Sequence, residues 1–291
     1  MKNLLSLILL TTLLFSCQKS KENAEDTQAV SSFEAERTAF FNNLKTPADA
    51  AANLQATGAD FNAALMSNPG NFAAFANNPE KAAANLGLFL SDLNYSVAYG
   101  QGSKTQGLFS AAYELSKSIG LEQGMLDFLM KRYSENLAQN DSVKTVVNTL
   151  FDKSTAGLQG TERERLIGIA MAAYQIENLH LALGIIESYP KDMLPTDTRT
   201  QILVPVYRMV LDQKGNVENI YGFLKSISDP EKNPNYPYYS NAFEELIGVY
   251  NRLNIEEKIA NNQALELMSD AVAKELNEKV DAIRNKIAST E

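Results

Sequence analysis

The strongest constraint on the fold of this 291-residue chain is the spacing of its apolar residues behind helix-start signals. Asn78-Pro79-Glu80 places a good N-cap directly before a proline, which suits the first position of a helix. Leu86, Leu90, Leu93 and Val97 then follow at intervals of four, three and four, which puts them on one helical face. Thr46-Pro47 repeats the start signal. It predicts a helix carrying Leu54, Phe61 and Leu65 and ending at Asn68-Pro69-Gly70-Asn71. Phe33, Phe40, Phe41 and Leu44 mark an earlier amphipathic helix. Convincing period-two alternation is absent. The expected fold class is therefore all-α: a helical bundle or an irregular superhelix of about ten helices, without a regular sequence repeat.

Further helices are expected from Asn78 to about Gln101 and from Ser103 to Ile119, with Gly120 as the residue just past the second. Others fall near 121–138 and 141–156. Thr161-Glu162-Arg163-Glu164 resembles a capping box before a long helix to about Ser188. Helices near 196–213, 217–227, 238–252 and 256–288 complete the set. Pro205 should kink or break its helix, because it removes a backbone hydrogen bond and crowds the preceding turn. The β-branched residues around it leave a short strand as the alternative.

Residues 1–17, MKNLLSLILLTTLLFSC, have a positive start at Lys2 and an apolar run from Leu4 to Phe15. That run is signal-peptide length and too short to span a bilayer, which takes ~20 apolar residues. Leu14-Phe15-Ser16-Cys17 resembles a bacterial lipobox, whose cysteine is lipidated and becomes the mature N-terminus. Cys17 is the single cysteine, and it sits where the apolar run gives way to a polar one. The resulting division is a lipoprotein signal peptide at 1–16, a lipidated Cys17 with a flexible tether to residue 31, and one helical domain at 32–291. Gln18 follows Cys17; in the lipoproteins this resembles, an Asp there can favour the inner membrane, so its absence points to the outer membrane. Beyond Cys17 no run reaches ~18 apolar residues, so the domain is expected to be soluble.

The chain carries a net charge of −9, and loss of residues 1–16 removes Lys2 and no acid. Phosphate backbones need clustered Lys and Arg, so nucleic acid is not an expected partner. Without another cysteine, the mature domain has no disulfide, thiolate or cysteine-ligated metal site.

Candidate chemistry is sparse. Tyr99-Gly100-Gln101-Gly102-Ser103-Lys104-Thr105 has a P-loop flavour, but Ser103 separates glycine from lysine and a helix precedes it, so an interhelical turn is expected. Glu177-Asn178-Leu179-His180 has the Glu-x-x-His spacing of helical di-iron sites, which need two such motifs. His180 is the only histidine, so it is expected to be partly buried and bonded to a neighbour. Glu162/Glu164 and Glu244/Glu245 do not face each other on a helix and are expected on solvated faces. No catalytic residue, cofactor or metal site is expected.

The longest expected loop is Ser228–Tyr239, with three prolines and three tyrosines. Tyrosine is enriched at contact surfaces, so Tyr236, Tyr238 and Tyr239 are candidate binding residues; the competing expectation is that they pack the loop onto the helices. Tyr95, Tyr99 and Tyr113 form a second aromatic set, expected in the core.

Asn85–Gln101, with Ala111-Tyr113-Leu115 and Ile119-Gly120-Leu121, resembles a group of uncharacterised helical lipoproteins of Bacteroidota over residues 46–290. Asp92 and Tyr95 match the polar marks of that group, with helix packing and binding both open as roles. The resemblance implies an envelope lipoprotein and supplies no catalytic residues. Three functional expectations compete. The first is a non-catalytic, lipid-anchored scaffold that meets the membrane through its N-terminal lipid and holds another envelope protein. The second is a ligand-binding lipoprotein serving a transporter. The third is a hydrolase using carboxylates alone.

Overall fold

A computed structural model describes residues 47–120, 164–189, 196–226, 236–261 and 271–290, together with Lys131, Thr149 and Gln263. Cys17, the tether, the first expected helix, those near 121–138 and 141–156 apart from Lys131 and Thr149, the start of the capping box at Thr161 and residues 228–235 lie outside the described residues.

The described residues form an all-α bundle without strands: α1 (Pro47–Ala56), α2 (Phe72–Phe75), α3 (Pro79–Ala98), α4 (Gly102–Ser118), α5 (Glu164–Ser188), α6 (Thr196–Asp212), α7 (Lys214–Ser226), α8 (Tyr236–Arg252), α9 (Ile255–Ala260) and α10 (Ala271–Ala288). Short 3₁₀ turns at Ala63–Leu65 and Pro69–Asn71 lie between α1 and α2. One apolar cluster joins residues from Leu54 to Ile287.

The bundle is organised around α5, which packs on α1, α3, α6, α7, α8 and α10. Its sequence explains that place: residues 166–177 are buried without a break, more than three turns, so every side of the helix is covered. Arg165–Ser188 is in fact long and apolar enough to cross a membrane by composition, contrary to the expectation from apolar runs. However, 89% of its apolar window is buried inside the protein, which makes it a core helix. The most extensive helix contact is α3 on α5, and small residues permit it. A Cβ on Gly87 of α3 would overlap the Ala170 carbonyl of α5 and lie 2.8 Å from the Tyr174 amide. The two backbones touch there, so only glycine fits.

Helix α3 starts as its sequence dictates. Asn78 Oδ1 accepts from the amides of Glu80 (2.9 Å) and Lys81 (3.1 Å), with Pro79 at the first helical position. The Tyr99–Gln101 stretch is an interhelical turn, with Gly100 at φ +66°. Gly120 follows α4 at φ +83°, as expected for its C′ residue.

Four expectations are corrected. The helix opened by Pro47 stops at Ala56, not at Asn68. Thr57 turns its hydroxyl onto the Leu54 carbonyl (2.7 Å) and Gly58 adopts φ +81°, so Phe61 and Leu65 lie on an irregular segment. Pro205 does not break α6, which runs through it. Both Pro205 and Gln201, whose carbonyl loses its partner, are exposed. The helix expected over 256–288 is two helices, since α9 ends at Ala260 and α10 begins at Ala271. Tyr236–Tyr239 are not extended loop: α8 begins at Tyr236, and Pro237 is tolerated because first-turn amides need no helical partner.

Candidate functional site

Two polar constellations stand out among the described residues: one sealed and one open.

The sealed one lies beneath the irregular segment 57–71. A chain without regular structure must satisfy its backbone groups by other means. Here side chains on three helices, or just past their ends, do so. Tyr189, just past the end of α5, accepts from the Asp60 amide at 2.7 Å. Tyr95 of α3 accepts from the Asn62 amide at 2.9 Å, and Tyr99 donates to the Ala59 carbonyl at 3.0 Å. Asp92 Oδ2 accepts from the Ser67 amide at 2.8 Å. The Leu65 carbonyl faces His180 Nε2 of α5 at 3.2 Å and accepts from Arg284 Nη2 of α10 at 3.3 Å. Phe61 stacks on Tyr95 with ring centroids 5.0 Å apart, and Leu65 fills the space above Gly184. The segment is a strap, tied down residue by residue.

At its centre Arg284 donates from Nε to Glu177 Oε2 (3.0 Å), and from Nη2 to Glu177 Oε1 (3.2 Å) and Ser67 Oγ (3.1 Å). Glu177 and Asp92 are fully buried. Burial first, and the neighbouring Glu177 charge second, push the Asp92 carboxyl well above the usual carboxylate range, although the Ser67 amide and Arg284 oppose this. Asp92 Oδ1 is the one buried side-chain oxygen without a hydrogen-bond partner among the described residues. A proton on that atom turns an orphan acceptor into a donor, with Glu177 as the adjacent acceptor. The pair then carries one negative charge, matched by Arg284. Burial works to lower the Arg284 guanidinium, but the charge and hydrogen bonds of Glu177 hold it above its ordinary value. Burial likewise pushes the Tyr95 hydroxyl up to about 12.

His180 completes the arrangement, with Nδ1 2.7 Å from Asp281 Oδ1. It is the satisfied, partly buried histidine that its isolation in the sequence implies. Glu177 and His180 do not come together as a metal site, and the described residues hold no group of three His, Cys, Asp or Glu placed to bind a metal ion. Glu244 and Glu245 are exposed, and Glu245 pairs with Lys279 at 2.7 Å.

The open constellation is a cleft of about 200 Å³ where α3, α8 and α10 meet. Asn78, Glu80, Lys81, Tyr238, Tyr239 and Lys286 line it. Lys286 Nζ stands 3.6 Å from the Tyr238 ring centroid, and Tyr238 and Tyr239 meet edge to face at 5.3 Å. Glu80 is bridged to Arg165 at 3.4 Å. Tyr239 also packs against the core. A wider, shallow concavity of about 600 Å³ lies between the α6–α7 and α8–α9 corners, with Asp212, Lys214, Asn251 and Glu257 on its wall.

The sequence candidates thus separate. Asp92 and Tyr95 come together under the strap. Tyr238 and Tyr239 come together in the cleft. The positions missed from sequence are Glu177 as a partner of Asp92, and Ser67, Arg284 and Lys286. A signal existed for the first: Glu177 is an acid inside an otherwise apolar helix, as is Asp92, and buried acids need partners. Nothing in the sequence pairs Glu177 with Arg284, 107 residues away.

Comparison with known proteins returned no matching family model, no matching curated protein and no matching solved structure.

Proposed function

We propose that this chain is a lipid-anchored protein of the bacterial outer membrane, tethered through Cys17, whose helical domain holds a partner and does no chemistry. The observation that carries this reading is the division between the two constellations. The two buried acids that a carboxylate-dependent hydrolase would have to use are already committed, Glu177 to Arg284 and Asp92 to the strap. A catalytic acid must instead reach a substrate atom within hydrogen-bond distance. The accessible cleft offers an aromatic face and an ammonium, which are recognition groups. The lipobox-like Leu14–Cys17 and the polar stretch after it support the anchor. Three acyl chains, as lipobox proteins carry, exceed the two signals needed for stable attachment.

Metabolic labelling with a fatty-acid analogue tests the anchor. Label should enter the wild-type chain and be absent from Cys17→Ser; label retained on the serine variant refutes it. Crosslinking in intact membranes tests the holder: a discrete partner crosslinked by the wild type should be lost on Tyr238→Ala with the fold intact. A partner still held by Tyr238→Ala refutes the cleft as the contact.

A further inference from the structure

We infer that the Tyr238–Lys286 cleft binds a carboxylate that sits beside an apolar group, as at a polypeptide C-terminus or in a small organic acid. The inference rests on the holder reading and specifies what is held.

The cleft's size comes first. Its volume of about 200 Å³ is below the ~300–1,000 Å³ of pockets that enclose whole ligands. It receives one chemical group, not a cofactor. Its charge comes second. In a chain of net charge −9, the cleft wall carries both Lys81 and Lys286. Lys286 is exposed on the last turn of α10, and its Nζ is poised over the Tyr238 ring at 3.6 Å. A cation over a ring face keeps its N–H donors for a further acceptor. The ammonium is therefore held at the cleft before a ligand arrives, which lowers the ordering cost of binding.

The same wall restricts the anion. Glu80 lines the cleft, and the charge of Glu245 bears on Tyr238. These acids disfavour a phosphate dianion more than a monoanion. The planar fork that suits phosphate is engaged elsewhere, since Arg165 bonds Glu80. A monoanionic carboxylate on Lys286, with its neighbouring apolar group on the Tyr238 and Tyr239 rings, matches what remains. The backbone supports the geometry, because Asn85 Nδ2 donates to both the Lys81 and Ile287 carbonyls at 3.0 Å and so ties α10 to α3 beside the cleft.

The experiment uses the full chain in detergent and saturation-transfer NMR. The probes are N-acetyl-L-phenylalanine, its amide, and an N-acetylated tetraglycyl-phenylalanine acid. The acid should bind, and the amide should bind about tenfold more weakly or not at all, since charged hydrogen bonds are worth at least that much. Lys286→Met should weaken the acid by about tenfold without a change in thermal midpoint. Equal binding of acid and amide, absence of acid binding, or unchanged affinity in Lys286→Met each overturns the inference. Tighter binding of the peptide acid assigns the carboxylate to a polypeptide terminus, and equal binding assigns it to a small organic acid. If Tyr238→Ala abolishes partner crosslinking while no acid binds, the carboxylate chemistry fails and the holder stands. If acid binding is intact while the crosslinked partner is indifferent to Tyr238, the holder reading fails and the carboxylate site stands.

Discussion

Arg284 and Glu177, 107 residues apart, meet at 3.0 Å in the interior, and the same guanidinium reaches the strap at Ser67 and the Leu65 carbonyl. Glu177 has no exposed surface and Arg284 very little. The pair is therefore a tie between α5, α10 and an irregular segment. A buried pair of this kind is costly to break from one side, because the survivor keeps its charge without a partner. Arg284→Met should lower unfolding free energy by about 3–5 kcal/mol, read by urea denaturation. Adding Glu177→Gln to that variant should recover part of the loss. A strictly additive double mutant would refute direct coupling.

The raised Asp92 carboxyl makes a pH prediction. In the folded protein its proton is held to a pH well above the ordinary value of 3.8. The folded state then binds more protons than the unfolded state across that interval. Stability must fall as pH rises from about 4 towards the folded-state value, and below about 4 this group contributes no slope. Asp92→Asn supplies a permanent donor in place of the held proton. It should flatten this part of the pH profile, and above the interval it should be at least as stable as the wild type. Parallel profiles for the two proteins, by urea unfolding from pH 4 to 9, would count against a protonated Asp92.

Gly87 is fixed by contact between backbones. A methyl group there meets the Ala170 carbonyl and the Tyr174 amide, and neither can rotate away. Gly87→Ala should destabilise by about 1–3 kcal/mol or more through overpacking, although alanine favours helix elsewhere. A rise in thermal midpoint would show that α3 and α5 separate freely.

The two cleft tyrosines should differ. Tyr239 packs against the core, whereas Tyr238 presents its ring to Lys286. Tyr239→Ala should cost up to about 3 kcal/mol, and Tyr238→Ala roughly 1 kcal/mol or less. Thermal midpoints of the two variants check this, and equal losses would mean that both rings serve as staples.

How much was legible beforehand varies by element. Helices α3 and α4 were readable because their signals are local: Asn78-Pro79 fixes a start, Gly120 fixes an end, and Leu86, Leu90 and Leu93 fix a face. The α1 boundary was not, since Phe61 and Leu65 keep helical spacing while Thr57 and Gly58 end the helix. Tyr236–Tyr239 looked extended because two nearby prolines suggest it, yet Pro237 falls where a helix needs no amide.

The sequence by itself determined the all-α class, the start of α3 and the isolation of His180, because periodicity, composition and residue counts act locally or exclude outright. Tertiary structure alone decided that Asp92, Glu177, Ser67 and Arg284 share one buried charge balance, and that Lys286 stands over Tyr238. Those relationships join residues on separate helices. Their energies depend on distance and burial, which exist only once the helices have packed.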